Sequence, residues 1–441
     1  MDFLDNSVLP QSAQHLELLK YLLVLAYLLL IPYLSALFGS VIFSVLLSRK
    51  GEKLKNTDYL KLSKSMIDLL TFNKSVSLGL GIVPFLSIIF SYAQLLHNSG
   101  AVVIIGLFVS LIFFVAGIII TYTYKHSFHL KDLLSMQHLN NEALEYRIKT
   151  SKLYYITGIW SIVTLALSSY LLVGSVQLAL DPARWESASF LGIIFSFSTI
   201  FYFIYFIALA IAFTMGAMLY HLKSIDKEKK FGKEFTYSAN KYLNSSGLLF
   251  SVIIPVFITI TILLTPFEAL SGYAVWAGVA LMLIILLISS YFYVMLKEGD
   301  WRYSSWVFYL FIIAFIFSIV KDQFNFDISS KRQVKILANN YLDYQNKLKE
   351  EMGIALVEIS GADIYNGRCI ACHQFDQKMV GPPYNAILPK YEGKQEELIK
   401  FILSPVKVDP NYPPMPNQGL KPKEAQAVAD YIVQIYKEQN Q

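Results

Sequence analysis

The residues best suited to chemistry stand together far along the chain, in Cys369-Ile370-Ala371-Cys372-His373. Two thiols separated by two residues, with a histidine directly after the second, have the spacing that allows two thioether bonds to the vinyl groups of a haem while the imidazole reaches the iron. Zinc is the competing chemistry, since it takes the same ligand types. These are the only two cysteines in 441 residues, so no disulfide framework is expected, and a single covalent haem c would use both. A ligating histidine needs an acceptor for its other ring nitrogen, which fixes the ring and raises its basicity. A soft thioether as the sixth ligand stabilises ferrous iron and raises the potential. Met415, in Tyr412-Pro413-Pro414-Met415-Pro416-Asn417, is the candidate, because prolines on both sides stiffen its loop. Met379 competes, but it lies only six residues from His373, too near to reach the opposite face of a haem.

Further stretches extend the pattern. Gly361-Ala362-Asp363-Ile364-Tyr365 precedes the motif, Gly381-Pro382-Pro383 follows it, and Glu424-Ala425-Gln426-Ala427-Val428-Ala429-Asp430-Tyr431-Ile432 lies close to the end of the chain. Residues 358 to 441 thereby resemble the class I (monohaem) cytochromes c. The resemblance implies that Cys369 and Cys372 hold the haem covalently, that His373 and Met415 are the axial ligands of its iron, and that the carbonyl of Pro382 orients His373. It also implies that Gly361, on the first helix, packs against the last helix with Tyr365, Val428 and Tyr431 nearby. A segment of about 80 residues is near the size at which a protein core alone is marginal. The haem is expected to complete that core, and the apo segment to be unfolded.

The elements that must carry this site are of a different kind. The chain is 55% hydrophobic and only 16% charged, and its apolar residues come in blocks too long for a soluble core. Eight spans are expected, at residues 21 to 48, 76 to 97, 101 to 124, 153 to 174, 190 to 220, 247 to 265, 273 to 296 and 304 to 320. The fold class is therefore all-α: a membrane bundle over 1–320, a polar helical linker over 321–357, and the cytochrome-like domain over 358–441. Met1 to Lys20 carries Asp2, Asp5 and Glu17 ahead of the first apolar block, with no basic leader and no small-residue cleavage site. That block reads as a retained span and not a signal peptide.

The net charge of +5 sits in loops and does not point to nucleic acid. Lys53, Lys61 and Lys64 follow the first span, Lys125, Lys131 and Lys149 the third, Lys223, Lys227, Lys229 and Lys230 the fifth, and Lys297 and Arg302 the seventh. The intervening loops hold Arg184 and almost nothing else basic. Basic loops stay cytoplasmic, so the N-terminus and the C-terminal haem domain are expected on the periplasmic side of a bacterial inner membrane. The loop from Tyr59 to Leu70 has helical periodicity and reads as an amphipathic helix on lipid. In the linker, Ile336, Leu337, Tyr341, Tyr344 and Leu348 form either a docking stripe or the minor face of a solvated spacer.

Haem b or a quinone in the membrane part finds little support in the sequence. His15, His97, His126, His129, His138 and His221 all lie outside the middles of spans, and the eight spans as bounded contain no Asp, Glu, Lys or Arg. Ile31-Pro32 and Phe72-Asn73-Lys74-Ser75-Val76-Ser77-Leu78-Gly79-Leu80-Gly81-Ile82 resemble the opening of cytochrome bd oxidase subunit I and its relatives, some of which carry an appended cytochrome c domain. In that family a histidine of the first span ligates haem. Tyr27 stands at the matching position, and the acidic residues of the third span are absent, which implies that the oxidase haems have been lost.

The function these readings predict is a membrane-anchored monohaem cytochrome c relaying single electrons within a respiratory complex. Its partners would be other membrane subunits, lipid, and a redox donor and acceptor such as a quinol-oxidising module, a soluble cytochrome c or a terminal oxidase. A subunit with its own b haem or quinol site, and a scaffold for assembly, are the alternatives.

Overall fold

The computed structural model describes residues 10–71, 73–135, 141–226, 232–352 and 360–439. His138, Lys227, Lys229, Lys230, Phe72, the acidic residues Asp2 and Asp5, and the expected domain start at 358 lie outside them. The described residues contain helices and no strand. They divide into two compact units, residues 1–342 and 343–441.

In the first unit, α1 (Ala13–Leu54) is followed by α2 (Thr57–Thr71), α3 (Lys74–Leu95), α4 (Val103–Ser135) and α5 (Asn141–Ala179). Then come the short α6 (Phe190–Ile194), α7 (Phe197–Asp226), α8 (Lys233–Leu264), α9 (Gly272–Glu298), α10 (Ser304–Ser329) and α11 (Lys331–Glu351). Among the described residues, eight helices are long and apolar enough to cross a membrane: α1, α3, α4, α5, α7, α8, α9 and α10. Local chemistry sets several ends. Ser12 caps α1 by accepting from the His15 amide at 3.2 Å, Asn73 caps α3 through the Ser75 amide at 2.9 Å, and Gly299 ends α9 in the left-handed region at φ 73°.

α1 and α7 form the buried centre. They approach so closely that a Cβ on Gly39 would collide with Thr214, the small-residue contact by which membrane helices gain packing where lipid offers no hydrophobic drive. One apolar core gathers α1 with α3, α4 and α5, and a second gathers α1 and α7 with α8, α9 and α10. The amphipathic α2 buries Leu62, Met66 and Ile67. Around it the basic ends of the helices are tied by ion pairs: Lys64 with Asp132, Lys131 with Glu52 at 2.6 Å, and Lys125 with Asp68 at 2.9 Å.

Two expectations need correction. The block at 190 to 220 is not one helix: α6 stops at Ile194, whose carbonyl accepts from the Tyr170 hydroxyl instead of continuing the ladder. The last apolar helix does not end at 320. α10 runs on to Ser329 and carries Lys321, which is 1% exposed, with its Nζ 2.5 Å from Asp322 Oδ1 and 5.8 Å from the Tyr202 ring centroid. Hydropathy falls at Lys321, but no helix breaker stands there, and the pair plus the ring lets the bundle keep the ammonium.

α11 resolves the choice left open for the linker only in part. Its first turns dock on the membrane unit: Leu337 is buried with Val334 and Ala338 packed beside it, and Gln333 donates to the His97 carbonyl at 2.5 Å. Ile336, Tyr344 and Leu348 remain exposed.

The second unit is small. α12 (Gly361–Ile364) widens into a turn at Tyr365–Cys369, α13 (Tyr384–Ile387) and α14 (Gln395–Leu403) follow, and α15 (Pro422–Gln439) closes it. Its core joins Tyr365, Leu388, Leu398, Ile402, Val428 and Ile432.

Candidate functional site

The crossing of α12 and α15 sets the frame. Ser360 caps α12 by accepting from the Asp363 amide at 3.1 Å. Gly361 then passes α15 so closely that a Cβ would strike the Ala427 carbonyl oxygen and come within 2.7 Å of Tyr431 Cβ. The Tyr365 and Tyr431 rings meet at 5.6 Å, and Val428 is fully buried. The crossing delivers the wide turn at Tyr365–Cys369, from which the two thiols and the imidazole follow within one tight loop. The Cys369 carbonyl accepts from the amides of Cys372 at 3.1 Å and His373 at 2.9 Å, and the Cys372 carbonyl accepts from Gly381 at 2.8 Å.

His373 Nδ1 lies 2.9 Å from the Pro382 carbonyl oxygen. An acceptor there requires the proton on Nδ1, which leaves the lone pair on Nε2 for a metal. The ring is seated on Gly381, where a Cβ would overlap it. Tyr384 flanks it, with ring centroids 5.3 Å apart. Neither cysteine is in a disulfide. Burial pushes the Cys369 thiol up, against an opposing hydrogen bond from Tyr384, so it is held as neutral S–H.

One cavity brings these residues together. Cys369, Cys372, His373 and Pro382 line it with Met415, and its remaining wall is mostly apolar, including Leu398, Ile402, Val428 and Ile432. Met379 does not line it and is 43% exposed. The Met415 loop is anchored on the motif helix, because Arg368 donates to the Gln418 carbonyl at 2.6 Å, and Gly419 turns the chain in the left-handed region at φ 63°. Sequence reasoning missed Arg368 and Tyr384. The basic residue just before Cys369 and the aromatic just after the two prolines were visible, but nothing in their spacing linked them to the site.

Residues 359–435 match the family model described as Cytochrome c. Over 81 residues the chain is 32% identical to cytochrome c-551 of Pseudomonas denitrificans, taking in 17% of this chain and 98% of that protein. The chain belongs to the cytochrome c family through this segment. The cytochrome c domain is also 28% identical over 98 residues to cytochrome c-552 of Hydrogenobacter thermophilus, covering 20% of this chain and 99% of that protein. Cytochrome c-551 of Pseudomonas aeruginosa is 34% identical over 71 residues, 15% of this chain and 68% of that protein. The cytochrome c domain thus binds covalent haem c and serves electron transfer. Its cavity fits that group: an apolar wall, two free thiols, an oriented imidazole and a thioether all face one space.

In the membrane unit, no group of three or more His, Cys, Asp or Glu placed to hold a metal ion is found among the described residues. His129 Nε2 is engaged by Asp68 at 3.2 Å, and His126 stacks near Tyr122 at 6.4 Å. Tyr27, at the position the bd resemblance marks, donates its hydroxyl to Tyr92 at 3.1 Å.

Proposed function

We propose that this protein is a membrane-anchored one-electron relay, a cytochrome c subunit of a bacterial respiratory complex with its N-terminus and haem domain on the periplasmic face. The Cys369 and Cys372 thiols would hold a haem covalently by adding S–H across its two vinyl groups. His373 would supply a nitrogen ligand to its iron and Met415 a thioether. Pro382 fixes the imidazole, and Gly381 leaves it room. When bound, the haem supplies a metal centre that cycles between ferric and ferrous states. The chain's residues set how readily it does so: the thioether and the apolar wall both favour the reduced, less charged form.

The observation that carries this reading is the hydrogen bond from His373 to Pro382 inside a cavity that Met415 also lines. Alternation of basic loops supports the periplasmic orientation, and the eight apolar helices support a role among other membrane subunits. The partners fitting this role are an electron donor such as a quinol-oxidising module and an acceptor such as a soluble cytochrome c or terminal oxidase. The likeness of residues 31–82 to cytochrome bd oxidase subunit I rests on sequence alone, and no oxidase haem is proposed.

The test is purification of the untagged protein from native membranes with its neighbours, followed by haem counting and a proteolysis experiment on spheroplasts. The relay reading expects c-type haem at one per chain, copurifying redox subunits, and a C-terminal domain cleaved from outside. A domain protected from external protease, or a chain without covalent haem, overturns it.

A further inference from the structure

The cytochrome c domain needs an electron donor, and the membrane unit holds a cavity that matches one chemical class. It lies between α1, α3, α5, α7 and α10. Its walls are mostly apolar, but polar groups converge on it: Tyr27, Tyr92, Gln177, Tyr202, Tyr205 and Asp322. No histidine, cysteine or methionine lines it.

Three details give the cavity its character. Tyr92 is 2% exposed, and its hydroxyl accepts from Tyr27 at 3.1 Å, so its own proton remains to be donated. Asp322 is an acceptor whose side chain keeps 31% of its surface accessible, while its charge is balanced by the buried Lys321 at 2.5 Å. The pair brings no net charge, which disfavours an anionic headgroup or a free cation as occupant. The Gln177 amide makes no side-chain hydrogen bond among the described residues and supplies both a donor and an acceptor. A neutral, largely apolar molecule that carries both hydrogen-bond donors and acceptors would satisfy these groups. A paired acid and base within membrane helices marks a functional site more often than a structural one.

We propose that this cavity binds the headgroup of a membrane-dissolved hydroquinone or its quinone, with Asp322 accepting from one hydroxyl and Tyr92 donating to a ring oxygen. The proposal deepens the relay reading by naming the class of donor, and it rests on that reading for the direction in which electrons run. Binding itself needs no electron transfer.

The test uses the full-length holoprotein in phosphatidylcholine nanodiscs with its haem kept ferrous, so that no electron can pass. A decyl-chain benzohydroquinone, which carries the hydroxyl protons that Asp322 would accept, is titrated in without oxygen, and the heat of binding is compared with that of haem-free lipid discs carrying an inert membrane protein. Saturable binding at one hydroquinone per chain is expected, weakened about tenfold by Asp322→Asn, the loss of one charge-assisted hydrogen bond. Tyr92→Phe weakens it less, and Val176→Trp, which fills the cavity, abolishes it while haem content and helicity stay unchanged. Uptake that merely partitions as in the control discs overturns the proposal. So does saturable binding that Asp322→Asn and Tyr92→Phe both leave untouched; Tyr92→Phe breaks no ion pair and decides the matter alone if Asp322→Asn, which strips the buried Lys321 of its partner, or Val176→Trp fails to fold. A Met415 variant that stops electron relay leaves quinone binding intact, so the two readings fail separately.

Discussion

His373 Nδ1 and the Pro382 carbonyl oxygen are 2.9 Å apart, and the ring lies against Gly381, which has no side chain to push it away. Gly381→Ala places a methyl on the imidazole. The expected result is a loss of about 1–3 kcal/mol in holoprotein stability, with a changed visible spectrum as the ring tilts off its acceptor. Thermal unfolding followed at the haem band checks both.

Met415 lines the cavity and Met379 does not. Met415→Ala is expected to lower the haem potential by on the order of 100 mV, since the axial ligand is the strongest lever on it. Met379→Leu is expected to leave the potential unchanged. Redox titration of the two variants settles which sulfur is the ligand.

Gly361 touches the backbone of α15, which cannot yield as a side-chain tip can. Gly361→Val is therefore expected to force α12 and α15 apart at a cost of about 1–3 kcal/mol. Its signature is a lower melting temperature with the haem still covalently attached. An unaltered melting temperature would refute the crossing as a packing constraint.

Replacing both Cys369 and Cys372 by Ser is expected to leave no haem attached after acid–acetone extraction. Without it the C-terminal segment should be rapidly digested, because so small a core is marginal alone. Protease fragments should still include the intact eight-helix unit.

In the membrane unit, burial pushes the Asp68 carboxyl up, but hydrogen bonds from His129 and Lys125 outweigh burial and hold it below the usual carboxylate range. A group whose folded value is depressed stabilises the fold above its unfolded value, and that stability is lost as pH falls through the folded value. Asp68 is 39% exposed, so solvent screening limits the effect to about 0.5–1 kcal/mol. Asp68→Asn should lower stability at pH 7 and make no difference in strong acid, as read by denaturation across that range.

Much of the fold was legible in the sequence for physical reasons. A bilayer demands long apolar runs, so the eight helices announce themselves, and a thioether-bound haem demands two cysteines and a histidine at fixed spacing. Gly361 and Pro382 could be placed only by resemblance, since a close backbone approach and a carbonyl acceptor leave no trace in residue type. Lys321 and Asp322 were misplaced outside the last span because hydropathy averages a window, whereas burial depends on one partner at 2.5 Å. The break after Ile194 was invisible because the hydroxyl that takes its carbonyl comes from Tyr170, on another helix.

The docking of Leu337 and Gln333 on the membrane unit shortens the leash on which the electron carrier works. The anchored portion of chain extends beyond the last span, so the length left to set the domain's reach begins well into α11. For a tethered reactant, leash length governs local concentration more than expression level does, and short tethers give values in the millimolar range. On the proposed relay reading, such a carrier would answer to whichever neighbour stands within its radius, and insertions placed after Glu351, where α11 ends, should slow turnover step by step.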